Sequence, residues 1–117
     1  MAQHLTCEAI GCAVDLRSAE AMERALRSAA ARAGATVVAE AAHAYHGGGL
    51  TMVLLCAESH LLISTWPEAD YALVEVLLCG EAARPDLAAE VVKGALRAAE
   101  WRVHASTLEL PPASYSS

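Results

Sequence analysis

Four short apolar segments follow one another in the middle of the chain, separated only by brief polar or glycine-rich connections. They span residues 36–45, 50–56, 61–65 and 71–78. Each segment is short enough for a strand, and the last three are almost continuously apolar, which favours strands that are buried in a sheet. The sequence therefore predicts a four-stranded block at the centre of the fold.

A helical pattern lies on each side of this block. Ser18 is a favourable N-cap for a helix that runs to Ala33, and Gly34 stands where a helix commonly ends in a glycine. The second helix is predicted to open at Pro85 and to run to about Ala99, because proline is well tolerated in a first helical turn. Both helices carry apolar residues at helical spacing, so each has one face to bury.

Two further strands, at residues 4–10 and 101–110, complete the order β-α-β-β-β-β-α-β. The economical arrangement is an α+β fold: a two-layer α/β sandwich with a mainly antiparallel sheet and two helices on one face. The other face of the sheet would then carry Leu73 and Leu77. Because apolar residues on an open sheet face need a cover, we expect a homodimer.

The 117 residues predict one domain over residues 1–110, followed by a disordered tail at 111–117 that opens with two prolines. The net charge of −6 provides no basic surface for phosphates, so we expect no nucleic-acid partner. No apolar run reaches the about 18 residues of a membrane span, and the N-terminus lacks a secretory pattern. We therefore expect a cytoplasmic protein without a membrane partner.

Cysteine and histidine spacing argues against a metal site. The four cysteines lack a CxxC pair, and the five histidines lack an HExxH or similar motif. We therefore expect no metal and a set of reduced thiols.

The segment Ala57-Glu58-Ser59-His60 lies between two predicted strands, so a tight turn is implied there. On local sequence alone, it is a polar hairpin tip. Cys79, on the same basis, is a cysteine at the end of a buried strand. Neither motif establishes a catalytic site without further context.

Several short motifs, taken together and in order, resemble the short prokaryotic S-adenosylmethionine decarboxylase proenzymes. The resemblance covers nearly the whole chain. It rests on His4-Leu5, Glu8, Gly11-Cys12, residues 33–38, His43, Gly49, Thr51, Ala57-Glu58-Ser59-His60, Thr65-Trp66-Pro67-Glu68, Tyr71-Ala72 and Cys79-Gly80.

The resemblance implies a self-cleaving, pyruvoyl-dependent carboxy-lyase. The Ser59 hydroxyl would attack the Glu58 carbonyl, and the chain would separate into residues 1–58 and 59–117. Glu58 would become a new C-terminus, and Ser59 would become the pyruvoyl cofactor, which forms a Schiff base with the amine of the substrate. Cys79 corresponds to the acid that protonates the product carbanion.

The resemblance also implies a substrate site. Tyr45, which replaces the usual phenylalanine, and Trp66 fall at positions of aromatic contacts to adenine and the sulfonium. Glu68 matches a carboxylate that binds ribose hydroxyls. Thr51 retains a processing hydroxyl, whereas Ser64 stands at the position of the family's processing histidine.

Because Ser64 stands in place of the histidine, the sequence does not identify the group that transfers protons during cleavage. Serine cannot shuttle protons near neutral pH as imidazole does. His46 and His60 lie nearby in sequence, and His46 is a candidate replacement.

We therefore expect a decarboxylase that converts S-adenosylmethionine into the aminopropyl donor of polyamine (spermidine) synthesis. Two alternatives remain open at this point. One is the same fold and cofactor acting on another amino acid, such as ornithine or arginine. The other is an unprocessed regulatory paralogue without catalysis.

Overall fold

The computed structural model describes residues 1–111, which form a six-stranded sheet with two helices on one face. In chain order the elements are β1 (Ala2–Cys12), α1 (Ala19–Ala33), β2 (Val37–Ala44), β3 (Leu50–Cys56), β4 (Ser59–Trp66), a 3₁₀ turn (Pro67–Ala69), β5 (Tyr71–Cys79), α2 (Pro85–Leu96) and β6 (Ala98–Leu108). The predicted α+β sandwich and its element order are confirmed. Positions 112–117 of the predicted tail lie outside the described residues.

The sheet has the strand order β2-β3-β4-β5-β1-β6, and every neighbouring pair is antiparallel. Strands β2 to β5 form a meander of consecutive neighbours, as the short connections between them require. β1 lies between β5 and β6, with Cys7 opposite both Val74 and Val103. The first and last strands of the chain are therefore adjacent at one side of the sheet.

The first helix begins and ends where the sequence predicts. The Ser18 hydroxyl accepts a hydrogen bond from the Ala21 backbone N–H at 3.1 Å. Gly34 takes a left-handed conformation with φ +77° and donates to the last carbonyls of α1. These contacts satisfy backbone groups that a helix end otherwise leaves without partners.

The second helix ends earlier than predicted, at Leu96 rather than Ala99. Arg97 adopts a left-handed conformation with φ +49°, and Ala98 already pairs with Cys12 in the sheet. Strand β6 consequently begins at Ala98 instead of Trp101 and extends to Leu108. Pairing with β1 overrides the helix propensity of the alanine-rich segment.

The core lies between the helices and one face of the sheet. Its largest fully buried side chains come from both layers and include Met22, Leu26, Met52, Leu54, Leu61, Ile63, Val74, Val76 and Leu96. Each such side chain contributes roughly 1.5–3 kcal/mol by leaving water. The alternation of buried and half-buried residues along β5 shows that only one face is covered.

The uncovered face carries a mixture of apolar and polar side chains. Leu62, Leu73 and Leu77 are half-buried on it, and Leu55 is 46% exposed. Among residues 1–111, no helix is long and apolar enough to cross a membrane.

Candidate active site

The connection between β3 and β4 is a strained two-residue turn. Cys56 pairs with Ser59, so only Ala57 and Glu58 join the strands, and the expected tight turn is present. Glu58 has φ +59°, a left-handed conformation that costs a non-glycine residue about 1–3 kcal/mol. Ala57 donates its backbone N–H to the Thr36 carbonyl at 3.0 Å, which anchors the turn. The Glu58–Ser59 peptide therefore follows directly on a strained residue at an exposed hairpin tip.

Ser59 and Cys79 line one cavity of about 320 Å³, which we call the cleavage cavity. Its walls include the end of α1 and the loop after β5, where Gly80 ends the strand with φ +100°. The structure thus brings together two predicted catalytic residues that lie on different strands.

Cys79 differs from the other three cysteines by its access to this cavity. Cys7, Cys12 and Cys56 are buried, whereas Cys79 is half-buried. Burial raises the pKa of Cys7 to about 11 and also raises the pKa values of Cys12 and Cys56. These three thiols are core residues, and Cys79 is the thiol placed to meet a ligand.

Tyr45, Thr51, Ser64, Trp66 and Glu68 line a second cavity of about 340 Å³, which we call the aromatic cavity. The Tyr45 and Trp66 side chains are 51% and 42% exposed. Large aromatic side chains on this open surface can stack against a flat ligand. All the residues predicted for substrate binding and for assistance to processing therefore meet in one place.

The glycine-rich loop between β2 and β3 shapes the aromatic cavity. Tyr45 donates its backbone N–H to the Gly49 carbonyl at 2.8 Å, which closes the loop. A Cβ atom on Gly49 would lie 2.6 Å from the Thr65 carbonyl oxygen, so this position requires glycine. The loop can pack against the end of β4 only because Gly49 lacks a side chain.

Thr65 joins the same region to the core. It is 4% exposed, and its hydroxyl donates to the Leu16 carbonyl at 3.0 Å and accepts from the Leu50 backbone N–H at 3.1 Å. Buried polar groups that have such partners fix the relative position of the segments they join.

The two cavities are too far apart within one chain to form one site. Ser59 and Ser64 are five residues apart on β4, which corresponds to about 17 Å along a strand. The hydroxyls of Thr51 and Ser64 therefore cannot reach Ser59 of the same chain. Sequence reasoning did not reveal this separation.

Sequence reasoning also missed two polar clusters on the uncovered face. Glu75 accepts hydrogen bonds from the Nε2 atoms of His4 and His60 at 2.9 and 3.3 Å. His60 is therefore engaged with Glu75, whereas His46 lines the aromatic cavity. The available signal was Glu75 itself, the one charged residue in an otherwise apolar strand.

The second cluster joins Glu8 to two neighbours. Tyr71 Oη donates to Glu8 at 2.8 Å, and His104 Nε2 lies 3.2 Å from the other carboxylate oxygen. These hydrogen bonds, the one from Tyr71 above all, hold the pKa of Glu8 below its ordinary value. No group of three or more His, Cys, Asp and Glu side chains within residues 1–111 is arranged to bind a metal ion.

We expect Glu75→Gln to weaken the acid dependence of folding stability. Burial raises the pKa of Glu75, but the hydrogen bonds from His4 and His60 outweigh it and hold the pKa below 4.5. Stabilisation by this carboxylate is therefore complete above pH 4.5 and is lost as the pH falls through the lower folded value. Urea unfolding measured between pH 3 and 6 should show a shallower loss for Glu75→Gln. Glu90→Gln, at an exposed position of α2, is the control and should follow the wild type.

Comparison with known proteins identifies the family of this chain. The S-adenosylmethionine decarboxylase family model matches residues 3–107. The S-adenosylmethionine decarboxylase proenzyme of Thermotoga maritima is 37% identical over 105 residues, which cover 89% of this chain and 79% of the relative. The proenzyme of Parasynechococcus marenigrum is 40% identical over 88 residues, which cover 75% of this chain and 69% of the relative.

A solved structure shows the same fold. The crystal structure of the adenosylmethionine decarboxylase from Aquifex aeolicus matches with a TM-score of 0.83 over 91% of this chain and 88% of that chain, at 24% sequence identity. The family match and the relatives define a pyruvoyl-dependent carboxy-lyase. Within that class, the chain belongs to the S-adenosylmethionine decarboxylase family, as the sequence motifs predicted.

Proposed function

We propose that this chain cleaves itself between Glu58 and Ser59 and then decarboxylates S-adenosylmethionine, which supplies aminopropyl groups for polyamine synthesis. The observation that carries the proposal is the strained Glu58 directly before Ser59, with Ser59 and Cys79 on one cavity. Family membership gives these residues their expected roles. The four unpaired thiols are compatible with action in the reducing cytoplasm.

The cleavage needs only the atoms of the chain and water. Ser59 Oγ attacks the Glu58 carbonyl carbon, the C–N bond breaks, and the hydroxyl proton ends on the Ser59 nitrogen, so that an ester replaces the amide. Loss of the Ser59 α-proton then releases the Glu58 carboxylate. Water then adds to Cα of residue 59, and the nitrogen of that residue leaves as ammonia. The product is a pyruvoyl group at residue 59.

Strain at Glu58 favours this sequence of steps. Once the Glu58–Ser59 bond breaks, nothing holds Glu58 in its left-handed conformation, so the strain is released. Strain of about 1–3 kcal/mol corresponds to about one to two orders of magnitude in rate if it is released in the transition state.

The cleavage cavity suits the mature reaction. A pyruvoyl group there would supply an electron sink for the loss of CO2. Cys79 Sγ would hold the proton that returns to the substrate carbon after CO2 has left. Cys79 is half-buried and lines this cavity, so its thiol is accessible to a substrate bound there.

The aromatic cavity suits a nucleoside sulfonium. Tyr45 and Trp66 line this cavity, and their aromatic rings can stack with adenine and attract the positive sulfonium. Glu68 supplies carboxylate oxygens for ribose hydroxyls. Neither ornithine nor arginine offers a base or a ribose to these groups, so the cavity favours S-adenosylmethionine.

A homodimer would unite the two cavities. In such a dimer, the aromatic cavity of one copy would meet the cleavage cavity of the other, and Ser64 could then approach a Ser59 that it cannot reach within its own chain, where the two are about 17 Å apart along β4. The uncovered sheet face, with Leu62, Leu73 and Leu77, offers the apolar surface for such contact. Each cavity alone is at the small end of the range for ligand pockets.

Intersubunit complementation tests the shared site. Thr51→Val removes a processing hydroxyl from the aromatic cavity, whereas Ser59→Ala removes the cleavage serine. We expect each variant alone to remain largely uncut, and Thr51→Val chains to be cut when both variants are produced together. Only the Thr51→Val chain retains Ser59, so its fragments can be recognised by mass.

The complementation result tests both the cooperation between copies and the role of Thr51. Thr51→Val chains that stay uncut in the mixture would show that the two cavities do not cooperate between copies. A Thr51→Val protein that is cut alone at the wild-type rate would remove Thr51 from the proposed machinery.

Substrate identity is tested with the wild-type protein and carboxyl-labelled substrates. We expect labelled CO2 from S-adenosylmethionine and at least about tenfold less from ornithine or arginine at equal concentration, because only the nucleoside fills the aromatic cavity. Faster release from ornithine or arginine would replace the proposed substrate. Release from none of them would favour the regulatory alternative.

A further inference from the structure

Tyr45, Thr51 and Ser64 form a continuous chain of hydroxyl groups. Tyr45 Oη donates to Thr51 Oγ1 at 3.0 Å, and Thr51 Oγ1 lies 2.8 Å from Ser64 Oγ. Both distances are those of well-formed hydrogen bonds between hydroxyls. The chain runs along one wall of the aromatic cavity, and all three residues line that cavity.

We propose that Tyr45 is the proton-relay residue of self-cleavage and acts through Thr51 and Ser64. The inference rests on the proposed function, because it assigns the proton transfer that cleavage at Ser59 requires. Ser64 would be the member that meets the reacting groups of a second copy. Tyr45 acts through Thr51 and Ser64 and does not itself contact the reacting groups.

The direction of the hydrogen bonds suits a relay. Because Tyr45 donates to Thr51, Thr51 keeps its own hydrogen, and either hydroxyl of the Thr51–Ser64 pair can act as the donor. When Thr51 donates, Ser64 keeps its hydrogen for a group in the cavity. A phenol releases its proton far more readily than an aliphatic hydroxyl, and tyrosine is among the side chains that serve as general acids. Tyr45 is therefore the one of the three hydroxyls that is acidic enough to supply the proton, and Thr51 and Ser64 pass it on.

The sheet fixes the relay geometry. Thr51 and Ser64 are directly opposite each other in the β3–β4 register, and His43 is opposite Thr51 in the β2–β3 register. The loop that closes between Tyr45 and Gly49 then turns the Tyr45 ring towards Thr51. The His43 ring packs edge-on against Tyr45, with ring centres 4.9 Å apart. The relay is therefore held by backbone pairing on one side and by ring packing on the other.

The proton balance closes without any added reagent. As Ser59 Oγ bonds to the Glu58 carbonyl carbon, the Ser64 hydrogen passes to the Ser59 nitrogen, and each hydroxyl is refilled from its neighbour, which leaves Tyr45 as phenolate. Ser59 Oγ still carries its hydrogen at this stage and has become strongly acidic, so that proton returns through Ser64 and Thr51 to Tyr45 as the C–N bond breaks. The net change is the amide-to-ester shift described above.

The test compares the cleavage rate of Tyr45→Phe with that of the wild type, followed by intact mass from the time of synthesis. Phenylalanine keeps the ring and removes only the hydroxyl. We expect cleavage to slow by about 10²- to 10⁴-fold, the usual effect of losing a proton-transfer group. The double variant Tyr45→Phe/Ser64→His places an imidazole directly at the end of the chain, and we expect it to recover most of the lost rate.

A matched control separates the relay from a general need for phenol hydroxyls on this sheet face. Tyr71→Phe removes a hydroxyl bonded to Glu8 outside both cavities and should be cut at the wild-type rate. In a Ser64→His background, removal of the Tyr45 hydroxyl should leave the cleavage rate nearly unchanged, because imidazole then supplies the proton transfer. A loss as large as in the Ser64 background would indicate a structural role for Tyr45 and overturn the relay.

The outcomes also distinguish the relay from the proposed function. Wild-type and Tyr45→Phe proteins that are cut equally fast would overturn the relay and leave self-cleavage intact. Slowing by His46→Gln but not by Tyr45→Phe would overturn it in favour of an imidazole in the same cavity. A wild-type chain that is never cut would overturn both.

Discussion

Ser59→Ala is expected to leave the chain as a single polypeptide and to abolish CO2 release from S-adenosylmethionine. Alanine has no oxygen to attack the Glu58 carbonyl, and no pyruvoyl group can arise at residue 59. The side chain lies at the start of β4 and is not part of the fully buried core, so the fold should persist with an unchanged circular dichroism spectrum. The effect is total because the same residue starts cleavage and gives rise to the cofactor.

Ser106→Ala is the matched control for this experiment. Ser106 is exposed in β6, and its replacement also removes a serine hydroxyl from a strand. It should be cut and should decarboxylate substrate as the wild type does. CO2 release by Ser59→Ala would disprove the pyruvoyl mechanism for this chain.

Cys79→Ala is expected to separate the two reactions of the site. Self-cleavage should continue, because Ser59 and the aromatic cavity are unchanged. Decarboxylation should slow by about 10²- to 10⁴-fold, because the substrate carbon would have no positioned proton donor. The measurement is the rate of CO2 release per cleaved chain, so that any change in processing cancels.

The Cys79→Ser variant refines this result. Serine keeps the size and the hydrogen of the thiol but is a much weaker acid, so decarboxylation should remain slow. Wild-type turnover in both variants would show that the proton comes from another group. Loss of cleavage in both would assign Cys79 to processing instead.

Most of the fold could be predicted from local sequence because local contacts determine it. Ser18 and Gly34 are caps whose partners lie within the same helix, and the run of apolar segments specifies the meander. The end of α2 could not be predicted in this way. The Ala98–Cys12 pair that stops it joins residues at opposite ends of the sequence.

In the candidate site, too, local features could be predicted from the sequence and long-range ones could not. The Glu58-Ser59 turn is local, and its place between two strands could be predicted. The chain from Tyr45 through Thr51 to Ser64 depends on the registers of two strand pairs, which single-sequence patterns do not specify. The division into two cavities likewise becomes apparent only from the position of each residue along β4.

The most direct test of the account is the intact mass of the purified protein under denaturing conditions. A gel is a poor substitute, because cleavage after residue 58 gives two pieces of nearly equal length. We expect two masses, with the 59–117 piece carrying a pyruvoyl group in place of serine. A single species at the full-length mass of 12.2 kDa would contradict self-cleavage and favour the regulatory alternative.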